Sequence, residues 1–148
     1  MQPNMTLPDL LDAVRKNANL PSDQAEATPP QVYSSAEVLD HELNEIFNHE
    51  WICVGRSDEF ENPGDYRVTT ISRDEVIILR DRGGALRAMS NICRHRMMTL
   101  VEGDGNSRRI TCPYHAWAYD LGGQLVGTNH MEHTDGFDPV DICLPEIR

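Results

Sequence analysis

The sequence predicts a mainly β fold, an antiparallel β-sandwich or barrel preceded by N-terminal helices. Three observations predict it. Helical periodicity is confined to the residues before Trp51; from there on it gives way to short apolar or alternating runs; and those runs are punctuated by Pro-Gly and Gly-Gly pairs suited to tight turns. Many short strands joined by glycine turns pack as antiparallel layers or close on themselves.

Residues 6–19 read as a helix, because Leu7, Leu10, Leu11, Val14 and Ala18 recur at helical spacing and Thr6 and Asp9 form a cap-like pair. Residues 20–31 hold Pro21, Pro29 and Pro30 among small and polar residues, and read as a linker or an extended arm. A second helix is expected to start at Ser34 as its cap, with Glu37 completing a capping box and Val38, Leu39, Leu43, Ile46 and Phe47 forming one apolar stripe. Beyond the apolar run at residues 51–55, Pro63-Gly64 suits the centre of a type II turn. Residues 66–71 and 76–80 read as strands, and Gly83-Gly84 closes a hairpin into residues 85–92. Residues 102–106 read as a turn, 109–111 as a short strand, and 117–121 with 124–126 as a hairpin around Gly122-Gly123. The expected division is residues 1–32 (helix and proline-rich arm), 33–50 (lead-in helix) and 51–148 (β domain).

The chain has 148 residues, enough for one domain with a helical appendage and a normal core. Its 24 acidic residues against 13 Lys and Arg give a net charge of −11, which disfavours nucleic acid and anionic membranes as partners. No basic segment followed by an apolar run opens the sequence, and no apolar stretch is long enough to cross a bilayer, so the expected compartment is the cytoplasm. In that reducing setting Cys53 and Cys143, both in apolar runs, read as buried free thiols.

The remaining cysteines carry the chemistry. Cys93-Arg94-His95 and, sixteen residues later, Cys112-Pro113-Tyr114-His115 place one thiol and one imidazole on each of two short loops. A lone Cys is usually a small hydrophobe and a lone His a satisfied polar group, but two compact Cys/His pairs form a donor set. Four such donors suit tetrahedral zinc, although structural zinc sites commonly pair like ligands locally as C-x2–4-C and H-x3–5-H. They also suit a Rieske [2Fe–2S] centre, in which one iron takes two cysteines and the other two histidines. His130 and His133 with Glu132 between them, and His41 and His49 on helix surfaces, read as solvent-facing residues.

The residues 91–96, Asn-Ile-Cys-Arg-His-Arg, and 112–121, Cys-Pro-Tyr-His-Ala-Trp-Ala-Tyr-Asp-Leu, resemble the two cluster loops of Rieske non-haem iron oxygenase alpha subunits. The lead-in from Tyr33 through Trp51 to Gly55 is similar to theirs too, and stand-alone Rieske ferredoxins generally lack it. The resemblance implies a [2Fe–2S] cluster on Cys93, His95, Cys112 and His115, with Trp117 as a core aromatic beneath it. It implies electron transfer as the function, a reductase or ferredoxin as the donor, and a homo-oligomer, a trimer in the family. In such alpha subunits a C-terminal domain holds a mononuclear non-haem Fe(II), through an Asp/Glu-x2-His-x4-His motif that does not occur in these 148 residues. The chain is therefore expected to be the N-terminal part of a longer enzyme, unable to oxygenate alone, with a sheet edge left exposed where further strands would follow. The complete enzyme would hydroxylate an aromatic ring or oxidatively demethylate a small amine, with a quaternary-ammonium substrate slightly favoured. A ferredoxin-type carrier and a zinc-stabilised interaction module are the alternatives. The family often has glycine where Met97 and Ala116 stand, so a positive φ at either position would strain the chain by about 1–2 kcal/mol.

Overall fold

The computed structural model describes residues 5–129, 131 and 134–147, and the chain divides into two compact units, Met1–Trp51 and Ile52–Arg148. In the first unit, helix α1 spans Leu7–Ala18. At its start the Thr6 N–H and hydroxyl both donate to Asp9 Oδ2, at 3.0 and 2.6 Å. The proline-rich stretch folds back on this helix. The Asn17 amide donates to the Glu26 carbonyl at 2.5 Å, and the Glu26 N–H donates to Asn17 Oδ1 at 2.7 Å.

Helix α2, Ala36–Glu42, is capped by Ser35, whose Oγ accepts from the Val38 N–H at 3.3 Å, and not by Ser34 as expected. The reason is a 3-10 turn at Pro30–Tyr33, whose Gln31 carbonyl accepts from both the Ser34 and Ser35 N–H groups. That bond leaves Ser35 as the first extended residue. The expected apolar stripe also breaks: Val38 is buried, but Leu39, Ile46 and Phe47 are exposed. After Glu42 the helix widens into a π-turn, Leu43–Phe47, and residues spaced for 3.6 per turn no longer share one face.

The second unit is built on two antiparallel sheets. The first contains β1 (Asp65–Ile71), β2 (Asp74–Arg80), β3 (Leu86–Ser90) and β4 (Asp104–Asn106), in the order β3-β2-β1-β4. The second contains β5 (Ile110–Thr111), β6 (Ala118–Tyr119) and β7 (Leu125–Gly127), with β6 central. Pro63-Gly64 turns into β1 with Gly64 at φ +94° and the Asp65 N–H on the Asn62 carbonyl, as a type II turn requires.

Strand β2 sits inside its sheet, and all four residues from Val76 to Leu79 are buried. Alternate side chains go to opposite faces. Ile77 and Leu79 join Met89, Cys93, Ile110, Cys112, Trp117 and Tyr119 in the main core, and Val76 and Ile78 pack with Phe60 in a smaller one. Each such aliphatic side chain contributes about 1.5–3 kcal/mol on burial.

Three expectations are corrected here. Residues 102–106 are not simply a turn, since Asp104–Asn106 pairs with β1 as an edge strand whose side chains are all exposed. Backbone pairing holds it, so its sequence carries no alternation. The free thiols are not buried: in both runs burial alternates residue by residue, and Cys53 and Cys143 fall on the outward phase. Nor is the β3 edge bare. Residues 145–147 run along it, with Ser90 N–H on the Pro145 carbonyl and Ile147 N–H on the Ala88 carbonyl, both at 2.9 Å. Among the described residues, no helix is long and apolar enough to cross a membrane.

Candidate metal centre

The first loop leaves β3 and closes on an isolated bridge between Ile92 and Thr99. Its base is fixed by Asn91, which is fully buried. The Asn91 amide donates to the Val101 carbonyl at 2.8 Å and accepts from the Val101 N–H at 3.1 Å, a complete side-chain clamp on the returning chain. The second loop is carried by the antiparallel pair β5 and β6.

Within both loops the backbone follows one pattern. Cys93 N–H donates to the Met98 carbonyl and Cys112 N–H to the Trp117 carbonyl, each at 2.8 Å; Met97 N–H and Ala116 N–H return to the cysteine carbonyls at 3.0 and 3.1 Å. Met97 and Ala116 lie in the left-handed region, at φ +53° and +58°. The strain anticipated for non-glycine residues at these two positions is therefore present in the backbone.

All four donors lie on the two loops at this end of the sheets, and among the described residues no three His, Cys, Asp or Glu side chains are grouped to hold one metal ion. Cys93 and Cys112 are buried thiols. The His95 and His115 rings meet edge to face, centroids 4.7 Å apart at 69°. Their Nδ1 atoms are both buried and have no hydrogen-bond partner. An orphaned buried imidazole nitrogen costs roughly 1–3 kcal/mol, and two of them in facing rings form an acceptor pair suited to a cation. Burial first, and then the charges of His115 and Arg96, hold His95 below the ordinary histidine range, which keeps its lone pair free. The donor set thus fits a metal cofactor.

Around the donors, Trp117 is buried and stacks on His95 at 4.7 Å and 8°, with Phe137 behind it at 5.7 Å. Tyr114 packs on His115 at 3.7 Å. Arg94, Arg96, Met97 and Met98 face solvent around the tip. His41 is half-buried on α2 and His49 exposed, while His130, Glu132 and His133 lie outside the described residues.

One residue was missed by the sequence reading. Tyr119 is fully buried, its hydroxyl 3.3 Å from Cys93 Sγ and accepting from the Arg94 N–H at 3.0 Å. Burial, reinforced by the Cys93 thiol, pushes its phenol well above the usual range. No alternation marks it in the sequence, because Trp117, Ala118 and Tyr119 are all buried.

A family model described as the Rieske [2Fe–2S] domain matches residues 50–139. The carnitine monooxygenase oxygenase subunit of Acinetobacter baumannii is 38% identical over 127 residues, covering 85% of this chain and 34% of that protein. The biphenyl 2,3-dioxygenase subunit alpha of Rhodococcus jostii is 34% identical, covering 78% and 25%. Among solved structures, the apo form of the quaternary ammonium Rieske monooxygenase CntA superposes with a TM-score of 0.81 at 34% identity, covering 89% of this chain and 38% of that one. Naphthalene 1,2-dioxygenase from Rhodococcus sp. gives 0.82 at 31%, covering 95% and 32%. The chain spans between 25% and 38% of the length of each of these relatives. With a matched model over most of its length and a paired Cys/His donor set at the tip of its sheets, the chain belongs to the Rieske [2Fe–2S] domain family.

Proposed function

We propose that this chain relays single electrons through a [2Fe–2S] cluster held by Cys93, His95, Cys112 and His115, as the Rieske part of an oxygenase subunit. The observation that carries the assignment of these residues is the pair of buried, partnerless Nδ1 atoms on the two loops that also carry two buried thiols. When bound, a cluster with two imidazoles on one iron supplies a reversible one-electron couple at about −150 to +300 mV.

The protein's own groups shape that couple. With Cys93 deprotonated as a ligand, the Tyr119 O–H is the donor across their 3.3 Å contact, and the Arg94 N–H orients it. Trp117, flat against His95, keeps water from that side of the ring and fixes its orientation. The exposed tip leaves the histidine end open to a redox partner, a reductase or ferredoxin. We place the protein in the cytoplasm and in a homo-oligomer of the trimeric kind.

In the complete enzyme the electrons would serve a mononuclear iron oxidising a quaternary-ammonium compound. The carnitine oxygenase subunit's identity of 38%, against 34% and 31% for the biphenyl and naphthalene dioxygenases, supports that substrate class over an aromatic ring. Alone, the chain transfers electrons and oxygenates nothing. The test is the visible spectrum of anaerobically purified protein, with iron and acid-labile sulfide measured on the same sample. About two irons and two sulfides per chain in a red-brown protein that bleaches on reduction are expected. A colourless protein with one zinc would overturn the assignment.

A further inference from the structure

The turns at residues 81–85 and 120–124 stand at the strand ends opposite the two metal loops, since β3 runs from the first turn toward Cys93 and β6 runs from the second loop into Asp120. Between them and the segment entering β5 lies a cavity of about 710 Å³, whose charged lining is Asp81, Arg82, Arg108, Arg109 and Asp120. Arg82 and Arg108 also line an adjoining cavity of about 320 Å³.

The two acids in this wall are committed to their own turns. Asp81 accepts from the Gly83 and Ala85 N–H groups at 2.8 and 2.9 Å and from Arg87 Nε at 2.7 Å. Asp120 Oδ1 accepts from the Gly122 and Gln124 N–H groups, also at 2.8 and 2.9 Å. The arginines are not committed. Arg82 makes one long bond, 3.4 Å, to the Arg108 carbonyl; among the described residues, no ion pair or side-chain hydrogen bond engages the guanidinium of Arg108 or Arg109.

Lys16, Arg56, Arg67 and Arg87 find carboxylates, whereas these three arginines do not and line one cavity together. Three guanidinium groups without an ion-pair partner outnumber the two turn-bound carboxylates of the wall, and a guanidinium fork pairs well with phosphate or carboxylate oxygens. The volume is that of a small-molecule site. We infer that this cavity binds a small multivalent oxyanion, one bearing phosphate or carboxylate groups, through Arg82, Arg108 and Arg109. The site is independent of the metal centre.

The test is isothermal titration of the full chain at fixed ionic strength, with pyrophosphate in one arm and tricarballylate in the other. The visible spectrum is followed throughout to show that neither probe removes iron. Saturable binding of one equivalent is expected, weakened at least about tenfold in Arg108→Gln and further in the Arg82→Gln/Arg108→Gln double variant. Arg15→Gln, on α1, binds like the wild type. Tighter pyrophosphate assigns a phosphate ligand and tighter tricarballylate a carboxylate. Should a glutamine variant fail to fold, Arg108→Lys keeps the charge and loses the fork, and binding weaker than wild type is expected there too. No saturable binding by the wild type, or binding undiminished in the folded variants, overturns the inference.

Discussion

In the loop that starts at Cys93 the imidazole follows two residues later; in the loop that starts at Cys112 it follows three residues later. Everything else in the two backbones matches: the cysteine N–H on the carbonyl five residues on, the return bond from the fourth residue, and that residue's positive φ. Moving the histidine by one position on the same turn swings its ring to another side, so the two rings meet at 69° and do not stack. The backbone frame places the thiols, and the offset places the imidazoles. The supports differ as well. The first loop is tied down by the side chains of Asn91 and Tyr119, whereas the second relies on the β5–β6 pair and one long bond, 3.4 Å, from the Asn129 amide to the His115 carbonyl.

The largest expected effect tests whether the loops are equal partners. Cys93→Ser and Cys112→Ser should each abolish the visible absorption and drop the iron content to background, and retention of a normal cluster by either would break the equivalence. The next tests the unequal supports. Asn91→Leu leaves both polar groups of Val101 unpaired in the interior and should cost about 2–4 kcal/mol in urea denaturation, whereas Asn129→Leu should cost less than about 0.5 kcal/mol.

Smaller again is Tyr119→Phe. Without the hydroxyl, the sulfur on the first loop loses a donor that favours the reduced, more negative state. The midpoint potential should fall by about 50 mV, the equivalent of a hydrogen bond worth about 1 kcal/mol. An unchanged potential in protein-film voltammetry would mean the contact is structural only. The smallest effects concern the shared frame: Met97→Gly and Ala116→Gly each remove a left-handed side chain and should stabilise the protein by up to about 1 kcal/mol, to a similar extent. A gain in one loop only would show that the frames are not equivalent.

Much of this was legible in the residues. The glycine pairs at 83–84 and 122–123 do close hairpins, and the apolar runs between them are the strands. What could not be read has physical causes. Asp104–Asn106 is polar and exposed throughout, so only its partner β1 makes it a strand. Two adjacent serines can each cap a helix, and the preceding 3-10 turn chooses Ser35. In the centre, Cys93, His95, Cys112 and His115 stood out by spacing, but the approach of Tyr119 to Cys93 is a contact across 26 residues that no local pattern encodes.

The second unit repeats a turn as well as a loop. Asp81-Arg82-Gly83-Gly84-Ala85 and Asp120-Leu121-Gly122-Gly123-Gln124 have the same side-chain bonds, and both fourth-position glycines, Gly84 and Gly123, sit at φ +86°. Their surroundings differ. A Cβ at Gly84 would meet nothing within 4 Å, but at Gly123 it would lie 2.6 Å from Met89 Sδ and 3.4 Å from Cys143 Sγ. Gly84→Ala should therefore lose only the backbone preference, about 1 kcal/mol, and Gly123→Ala distinctly more, as thermal unfolding would report.

The two tryptophans give the protein an internal optical gauge. Trp117 lies flat on His95, one of the residues that would hold the cluster, so a bound cluster would drain its excited state by energy transfer, while Trp51 is 95% exposed and emits in water. Binding of a cluster should thus quench the light of Trp117. Loss of iron would switch on a second, bluer component from Trp117, so cofactor occupancy can be followed by colour of emission, without labels and at concentrations too low for absorbance.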